Sequence, residues 1–258
     1  MRYSLFFIML YSIVVSAQGV NDSIKTGNLN EIKELNELIE KWPTADNFYY
    51  RGYSYFAIKD YQNALLDYNK AIAIDSTDFK YFFSRGKLKD EVKDYRGAVL
   101  DYTTCIALNK ISYKAYYSRA FSKSNYVDLY GAIEDYSKCI EINPDYGPAY
   151  LNRGIVKAQK HLHEDAIKDF DKAISLNVSF IETMKNRAIS KALLNRKDAI
   201  DDFNAVVQSD QKNGEGYYNR ALHIINFKLK QDYCSDLKKA NQLGFIPAKK
   251  LLNQYCKL

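Results

Sequence analysis

The sequence is poor in the residues that build turns and long loops. Glycine and proline together account for 15 of 258 residues, about 6%, against roughly 12% in average proteins. This deficit excludes collagen-like repeats and argues against a turn-rich β-sandwich or a long flexible linker. Tyrosine, in contrast, occurs 23 times, against a single tryptophan. The composition therefore predicts a helical protein with many aromatic packing positions.

Long apolar runs are also lacking, apart from a short one at the N-terminus. Arg2 precedes an apolar run over residues 5–15, and the small residues Val15 to Ala17 stand before Gln18. This is the pattern of a cleaved secretory signal peptide. About eleven apolar residues are too few to span a roughly 30 Å hydrocarbon core, although an uncleaved N-terminal anchor is the alternative. We expect residues 1–17 to be removed near Ala17–Gln18 and the mature chain to be exported to the periplasm, envelope or medium.

Two charged residue types recur with a fixed period through the rest of the chain. Six of the nine arginines are spaced by 34, 34, 34, 34 and 33 residues, and six aspartates by 34, 34, 34, 33 and 34. Both series share a one-residue deletion, which must lie between the fifth arginine and the fifth aspartate. The arginines are Arg51, Arg85, Arg119, Arg153, Arg187 and Arg220, and the aspartates are Asp67, Asp101, Asp135, Asp169, Asp202 and Asp236.

Small and aromatic residues follow the same period. A small residue comes after each arginine, and an aromatic or large apolar residue comes after each aspartate. Apolar residues spaced three, four and seven apart, such as Ala64, Tyr68 and Ala71, describe one face of a helix. Each period therefore predicts two helices joined by a short turn, which lies near Lys59 in the first period.

In this pattern the chain resembles the tetratricopeptide repeat (TPR) family, whose unit is a 34-residue helix–turn–helix. Residues 47–76 and 149–177 carry the family pattern of small and aromatic residues. The resemblance implies an all-α fold, a right-handed α-solenoid with six repeats over residues 45–244. A C-terminal capping helix would occupy 245–258. The leading segment 18–44 would hold a half-repeat helix, with Leu35, Leu38 and Ile39 facing inward.

The two charge series predict a structural ladder. The arginine on a first helix and the aspartate on the second are each about eight residues from the turn, so they lie at the same height in an antiparallel hairpin. We expect each arginine to bridge its own aspartate and the preceding one. The alternative, a basic stripe for an anionic ligand, needs unpaired arginines, and the matched aspartates argue against it.

The resemblance also implies a partner-binding groove on the concave wall formed by the first helices. At these positions, aromatic and aliphatic side chains would accept a partner's side chains, while amides would bond an extended backbone. A clamp for chaperone tails is not expected, because Tyr49, Tyr53 and Ser84 replace its lysine and asparagine ligands. The expected groove residues are Tyr49, Tyr53, Phe56, Phe83, Tyr117, Phe121, Leu151, Asn152, Ile155, Asn186, Ile189, Tyr218, Asn219 and Leu222.

Positive charge is concentrated at the C-terminus. Residues 224–258 contain seven lysines and two aspartates, a net charge of 7 − 2 = +5 out of +6 for the whole chain. The segment is either the solvated face of a capping helix or a weak docking surface for an anionic layer such as lipid headgroups. Nucleic acid is not an expected partner, because no basic and aromatic stripe is present.

The four cysteines fall into two pairs. Cys105 and Cys139 occupy a small-residue position of the repeat, so we expect buried thiols. Cys234 and Cys256 lie about eleven residues on either side of a turn near Phe245. Antiparallel helices would place these two side by side, and an exported protein would oxidise them to a disulfide.

Motifs for catalysis or metal binding are absent from the sequence. His161 and His163 lie in a turn with no further ligands at metal spacing, so we expect a solvated loop. No phosphate-binding loop, zinc-protease motif or nucleophile elbow occurs. We therefore expect a non-enzymatic, cofactor-free scaffold that binds a peptide or a partner's helix. The alternative is a peripheral membrane-associated assembly factor that docks through its lysine-rich C-terminus.

Overall fold

The computed structural model describes residues 25–256, and within this range it is all-α, with fourteen helices and no strand. The expected signal peptide lies outside the described residues. The chain forms two compact units that divide after Tyr126. The first unit contains α1 (residues 25–41), α2 (Ala45–Ala57), α3 (Tyr61–Ile74), α4 (Phe79–Glu91), α5 (Tyr95–Leu108) and α6 (Tyr113–Asn125). The second contains α7 (Leu129–Ile142), α8 (Gly147–Gln159), α9 (His163–Ser175), α10 (Phe180–Leu193), α11 (Ala199–Ser209), α12 (Gly214–Phe227), α13 (Tyr233–Gln242) and α14 (Pro247–Tyr255).

Each unit is built from helical hairpins whose period is that of the sequence. In the first unit α2 packs on α3 and α4 on α5, and in the second α8 packs on α9, α10 on α11 and α12 on α13. Successive hairpins also contact each other within a unit: α3 packs against α4, and α9 packs against α10. The predicted all-α architecture of helix–turn–helix repeats is confirmed.

The turn inside each hairpin uses a left-handed residue that is not glycine. Five of these residues are 34 apart and have φ between 56° and 71°: Lys59, Lys93, Val127, His161 and Asn195. In the first hairpin, the amide of Asp60 then bonds the carbonyl of Tyr55 at 2.9 Å, and the Asp60 carboxylate caps α3 by accepting from the amide of Asn63 at 3.2 Å. This combination ends one helix and starts the next within two residues.

The one-residue deletion in the fifth repeat falls between Asn195 and Ala199, in the turn that precedes α11. Helix α3 begins two residues after its left-handed Lys59, whereas α11 begins four residues after Asn195. The amides of Ala199, Ile200 and Asp201 bond carbonyls three residues earlier, at 3.2–3.3 Å. This tighter winding replaces the side-chain cap, so the rest of the helix keeps its register.

The hairpin cores contain buried aromatic residues, and four of the 23 tyrosines are buried in the described residues. The residue after each ladder aspartate is buried, as with Tyr102 and Phe170, both 0% exposed. Their rings lie against glycines on the partner helix. A Cβ at Gly86 would stand 2.8 Å from the Tyr102 ring, and one at Gly154 would stand 2.7 Å from Phe170. The ring therefore occupies the volume that a larger residue would need.

Helix α1 covers the start of the first unit. Ile32 and Leu35 are both 7% exposed and Ile39 is half-buried, but Leu38 is 40% exposed. The expectation that Leu38 faces inward is wrong, because the buried stripe follows the spacing 32, 35 and 39 and leaves Leu38 beside it.

Helix α14 covers the end of the second unit. Ala248 and Leu252 pack with Leu237 of α13 in one buried cluster. A disulfide joins Cys234 to Cys256, with a Cα–Cα distance of 5.7 Å. Helices α13 and α14 are thus cross-linked as well as packed. Among the described residues, no helix has the length and apolarity needed to cross a membrane.

Candidate functional site: the first-helix faces

The ladder residues form a repeated two-point contact inside the hairpins. In five of them, Nε and Nη2 of the arginine donate to both carboxylate oxygens of the same repeat's aspartate, at 2.6–2.9 Å. The aspartates are nearly buried, at 2–4% exposed. Hydrogen bonding to Asp67 raises the pKa of Arg51 further above its usual value. The pairs are Arg51–Asp67, Arg85–Asp101, Arg153–Asp169, Arg187–Asp202 and Arg220–Asp236, while Arg119 belongs to the first unit and Asp135 to the second.

The remaining arginine nitrogen reaches back to the preceding repeat, but not to its aspartate. Nη1 of Arg85 bonds Asn69 at 2.7 Å, and Nη1 of Arg220 bonds Asn204 at 3.0 Å. Both asparagines lie two residues after the preceding aspartate. The expectation that each arginine bridges two aspartates is therefore wrong. Residues two apart on a helix point in nearly opposite directions, so the aspartate faces its own hairpin and its i+2 neighbour faces the next.

A lysine four residues after the arginine adds a second cation in three repeats. Lys89, Lys157 and Lys191 contact the ladder aspartates at 2.8, 2.8 and 3.0 Å. With the arginines bonded on both sides, these charges hold hairpins together. They are not an open basic stripe.

The first-helix face of the first unit is aromatic. Tyr53 and Phe121 are 55% and 41% exposed, so their rings are available to a partner. Tyr49 and Phe83 are only half-exposed, and each packs a ring against the core, Tyr49 on Tyr81 at 5.3 Å between centroids. The remaining expected groove residues of this unit, Phe56 and Tyr117, are also half-buried.

A half-buried carboxylate lies beside this face and was not predicted from the sequence. Asp90, on α4, accepts hydrogen bonds from Tyr102 at 2.8 Å and from Ser122 of α6 at 2.6 Å. Burial raises the pKa of Asp90. The network ties α6 to the preceding hairpin. The carboxylate has no counterpart at this repeat position in the other repeats, so periodicity carried no signal for it.

The first-helix face of the second unit carries amides instead. Asn152, Asn186 and Asn219 stand immediately before the arginines on α8, α10 and α12, and all three are half-buried. No side-chain hydrogen bond occupies Asn186 or Asn219 among the described residues. Their donors and acceptors are therefore available to a ligand.

Leu151 does not belong to this face. It is 5% exposed and packs with Ala166, Phe170 and Ala173 inside its hairpin, so its assignment to the groove is wrong. The same repeat position holds tyrosine, phenylalanine or lysine in the other repeats, and those longer side chains pass beyond the core. Ile155 and Tyr218 are half-buried, and Tyr218 packs on Phe245 with centroids 5.0 Å apart.

Three of the expected groove residues line one pocket in the second unit. The pocket has a volume of about 190 Å³ and lies between α10, α11 and α12. Most of its walls are apolar, and two asparagines provide polar groups. The lining residues are Ile189, Ala192, Leu193, Phe203, Asn219, Leu222, His223, Asn226 and Phe227.

His223 is the unusual residue of this pocket. It is 3% exposed, and its ring lies between Phe203 and Phe227, with centroids 5.5 and 4.5 Å away. Nε2 is 3.2 Å from the carbonyl oxygen of Lys197, so Nε2 is the protonated nitrogen and Nδ1 is left as an acceptor without a donor. Burial lowers the pKa of His223. His223 is not part of any sequence motif, and nothing around it in the sequence predicted that it would line a pocket.

The remaining titratable residues do not assemble a metal site. Within residues 25–256, no three histidine, cysteine or acidic side chains converge in a way that could hold a metal ion. The rings of His161 and His163 lie 6.0 Å apart in their turn. Cys105 and Cys139 are buried free thiols, and burial raises their pKa values to about 11 and about 12.

Comparison with known proteins relates this architecture to a family. The tetratricopeptide repeat family model matches residues 45–78. The C-terminal part of a TPR repeat-containing protein from Cytophaga hutchinsonii has a TM-score of 0.75 at 16% identity, covering 93% of this chain and 99% of that one. A tetratricopeptide repeat protein from Parabacteroides merdae has a TM-score of 0.60 at 19% identity, covering 90% and 97%. YrrB, described as a TPR protein with an unusual peptide-binding site, has a TM-score of 0.61 at 19% identity, covering 68% and 91%.

None of the curated proteins matches the chain. The likeness to the family is therefore seen in the repeat and in the fold. The matched segment, residues 45–78, spans α2 and α3 with the turn between them. The hairpins that follow keep the same 34-residue period, the same arginine–aspartate pair and the same left-handed turn. The described residues therefore have the tetratricopeptide-repeat fold, and residues 45–78 match the family model.

Proposed function

We propose that this protein is a non-enzymatic scaffold that binds an extended peptide or a helix of a protein partner on its first-helix faces. Proteins of this fold generally mediate protein–protein interactions. The observation that carries the proposal is the pair Asn186 and Asn219, whose side-chain amides form no hydrogen bond among the described residues. They stand on successive first helices, and Asn219 lines the apolar pocket.

Amides and pocket have complementary tasks in this proposal. An asparagine side chain offers both a donor and an acceptor, so it can bond the amide and carbonyl of one backbone unit. The apolar pocket beside it takes one side chain of the same segment as an anchor. Backbone bonding supplies affinity, and the pocket supplies specificity.

The test starts from peptides selected on the full chain out of a random peptide library. Affinity for the selected peptide is then measured by fluorescence anisotropy. Exchanging Asn186→Ala and Asn219→Ala together removes two hydrogen-bonding sites, and we expect a loss of about 30-fold if each site contributes about 1 kcal/mol. Leu222→Ser, in the pocket wall, should weaken binding as well.

The matched control exchanges two exposed amides on second helices, Gln208→Ala and Asn241→Ala. These changes should leave peptide affinity within a factor of two of the parent, because they alter neither first-helix face. Equal affinities for the parent chain, the Asn186/Asn219 variant and the Leu222 variant would refute the proposed face.

We further propose that the protein acts outside the cytoplasm, after cleavage near Ala17–Gln18. The N-terminal pattern supports export, and the disulfide between Cys234 and Cys256 suits an oxidising compartment. N-terminal sequencing of the protein isolated from the producing cells tests this. A mature chain that begins at Gln18 is expected, and a chain that keeps residues 1–17 in the cytoplasmic fraction would contradict it.

A further inference from the structure

The end of the second unit carries uncompensated positive charge. Residues 224–258 have a net charge of +5 and the remaining 223 residues a net charge of +1, which sum to +6. The two acidic groups of this segment already have partners elsewhere than on its lysines. Asp236 is 4% exposed and paired with Arg220, and Asp232 caps α13 by accepting from the amides of Cys234 and Ser235.

The lysines of this segment differ from three partly or fully buried lysines elsewhere in the unit. Lys157, Lys185 and Lys191 each contact a carboxylate at 2.8–3.0 Å. In contrast, none of the C-terminal lysines within the described residues forms an ion pair, and all are exposed. They are Lys228, Lys230, Lys238, Lys239, Lys249 and Lys250.

Four of these lysines flank one turn. Lys238 and Lys239 lie in the second half of α13, which ends at Gln242, and Lys249 and Lys250 lie in the first turn of α14, which begins at Pro247. No acidic residue occupies that first turn. Cations at a helix N-terminus oppose the helix dipole, so this arrangement lowers the stability of α14. A structural cap alone gives no reason for such a placement.

The turn itself presents an exposed apolar side chain. Ile246 is 84% exposed, more than any other large apolar residue in residues 25–256. The end of a repeat array usually has a polar outer face. An exposed isoleucine in a turn with a lysine pair on either side of it in the chain is instead the combination found where proteins lie on a membrane interface. The disulfide keeps α14 on α13, so the two lysine pairs are fixed on either side of the turn.

We propose that the turn between α13 and α14 docks on an anionic lipid bilayer, with Lys238, Lys239, Lys249 and Lys250 contacting lipid phosphates and Ile246 entering the acyl boundary. Charge complementarity selects an anionic partner, and Ile246 selects a bilayer over a soluble polyanion, which offers no apolar phase. This docking uses neither the asparagines nor the pocket of the proposed peptide site. The two proposals therefore stand or fall separately.

The experiment is co-sedimentation of the full, oxidised chain with vesicles. One preparation contains phosphatidylcholine alone, and the other contains in addition about 30 mol % phosphatidylglycerol. Binding is expected only to the anionic vesicles, and it should fall steeply as salt rises from about 0.1 M to 0.5 M, because the Debye length shortens. Each lysine near an anionic surface is worth about fivefold in the partition coefficient.

Three variants then locate the surface. Exchanging Lys238, Lys239, Lys249 and Lys250 for Gln should lower partitioning by at least about 100-fold. Ile246→Gln should lower it by about tenfold while leaving the salt dependence unchanged, since it removes apolar burial and no charge. The matched control exchanges four exposed, unpaired lysines of the first unit for Gln, and it should change partitioning by less than about fivefold: Lys33, Lys41, Lys70 and Lys110.

Three results would overturn the proposal. The first is that the parent chain does not bind anionic vesicles. The second is that exchanging the control lysines lowers partitioning as much as exchanging the C-terminal ones. The third is a pair of results: the Ile246→Gln variant binds vesicles as well as the parent does, and a soluble polyanion such as heparin displaces the protein completely. The lysines would then bind a polyanion in solution and not a bilayer. Circular dichroism melts of each variant establish that all are folded.

Discussion

The two units share one internal scaffold and present two different faces. Asp101 in the first unit and Asp169 in the second each bind an arginine at 2.6 Å and a lysine at 2.8 Å. On the first-helix faces, however, the first unit has exposed rings such as Tyr53. The second has asparagines and a pocket built around His223. Only the second unit contains histidines and a disulfide.

This contrast separates the positions that hold a repeat together from those that a partner meets. Residues that pack against the neighbouring helix keep their type in both units: arginine, aspartate, a small residue, or a large aromatic or apolar residue. Residues that project from the first helix vary freely, because the hairpin is stable without them. Function in such an array is therefore encoded at the positions where the repeats differ from one another.

The largest expected effect concerns the shared ladder. Asp169→Asn leaves Arg153 and Lys157 half-buried without their anion, and we expect a loss of about 4 kcal/mol in the free energy of unfolding. Asp101→Asn should cost the first unit a similar amount, because its two contacts have the same lengths. Urea unfolding followed by hydrogen exchange and mass spectrometry measures each unit separately.

An exposed ion pair provides the control for the ladder. Asp165 and Lys168 are 54% and 75% exposed in their side chains, so Asp165→Asn should leave the free energy of unfolding nearly unchanged. If Asp169→Asn cost no more than this control, the arginine–aspartate pairs would not stabilise the hairpins. They could then not be the scaffold that the two units share.

The disulfide is the next largest effect, and it belongs to the second unit alone. Exchanging Cys234 and Cys256 for Ser opens a loop of 22 residues, which costs about 3 kcal/mol in the chain-entropy model. Amides of α13 and α14 should exchange faster, while those of α3 and α5 keep their protection. Equal loss of protection in the first unit would show that the two units unfold as one. Adding a reductant to the variant should have no further effect.

The sequence predicted the repeats because periodicity marks every position that packs between helices. The hairpins, the arginine–aspartate pairing and the apposition of Cys234 with Cys256 all follow from distances counted around a turn. Counting residues gives a side chain's height along a helix but not its direction around it. For this reason it assigned the preceding aspartate to Arg85 when the partner is Asn69. The assignment of Leu151 to the groove came instead from the resemblance to the family, and the side chain is buried.

What was missed lies outside the repeat. The pocket around His223 and the network of Asp90 each occur once, so no column of equivalent residues marks them. A usable signal existed for the second arginine contact, since a polar residue stands two positions after each aspartate in the first five repeats. Those residues are Asn69, Thr103, Ser137, Asp171 and Asn204.

A smaller effect tests the aromatic cores. Gly154→Ala places a Cβ 2.7 Å from the Phe170 ring, which is fully buried and cannot move away without repacking. We expect a loss of about 2 kcal/mol in thermal melts, and a comparable loss for Gly86→Ala in the first unit, where the corresponding distance to Tyr102 is 2.8 Å. Gly27 has no atom within 4 Å of a Cβ, so Gly27→Ala is the control and should not destabilise. If Gly154→Ala left the melting temperature unchanged, the core would have enough space for a methyl group at this position.

The smallest expected effect is a pH response of opposite sign in the two units. Burial lowers the pKa of His223 in the second unit, so the unfolded chain binds protons more readily, and stability is lost as pH falls below about 6.5. Burial also lowers the pKa of His163, which adds to the same loss. In the first unit, burial raises the pKa of Asp90, so the folded form binds the proton more readily and acidification towards pH 4 is stabilising.

Each of these groups changes stability by at most about 1.4 kcal/mol per pH unit. Hydrogen exchange between pH 7 and 5, corrected for the intrinsic rate, should therefore show protection falling around α10–α12 but not around α4–α6. His223→Gln removes one titrating group and should flatten the response of the second unit, while Asp90→Asn should flatten that of the first. If both units lost protection equally and His223→Gln changed nothing, the pocket histidine would not be the group that separates them. Both units would then be weakened at pH 5 by charges elsewhere.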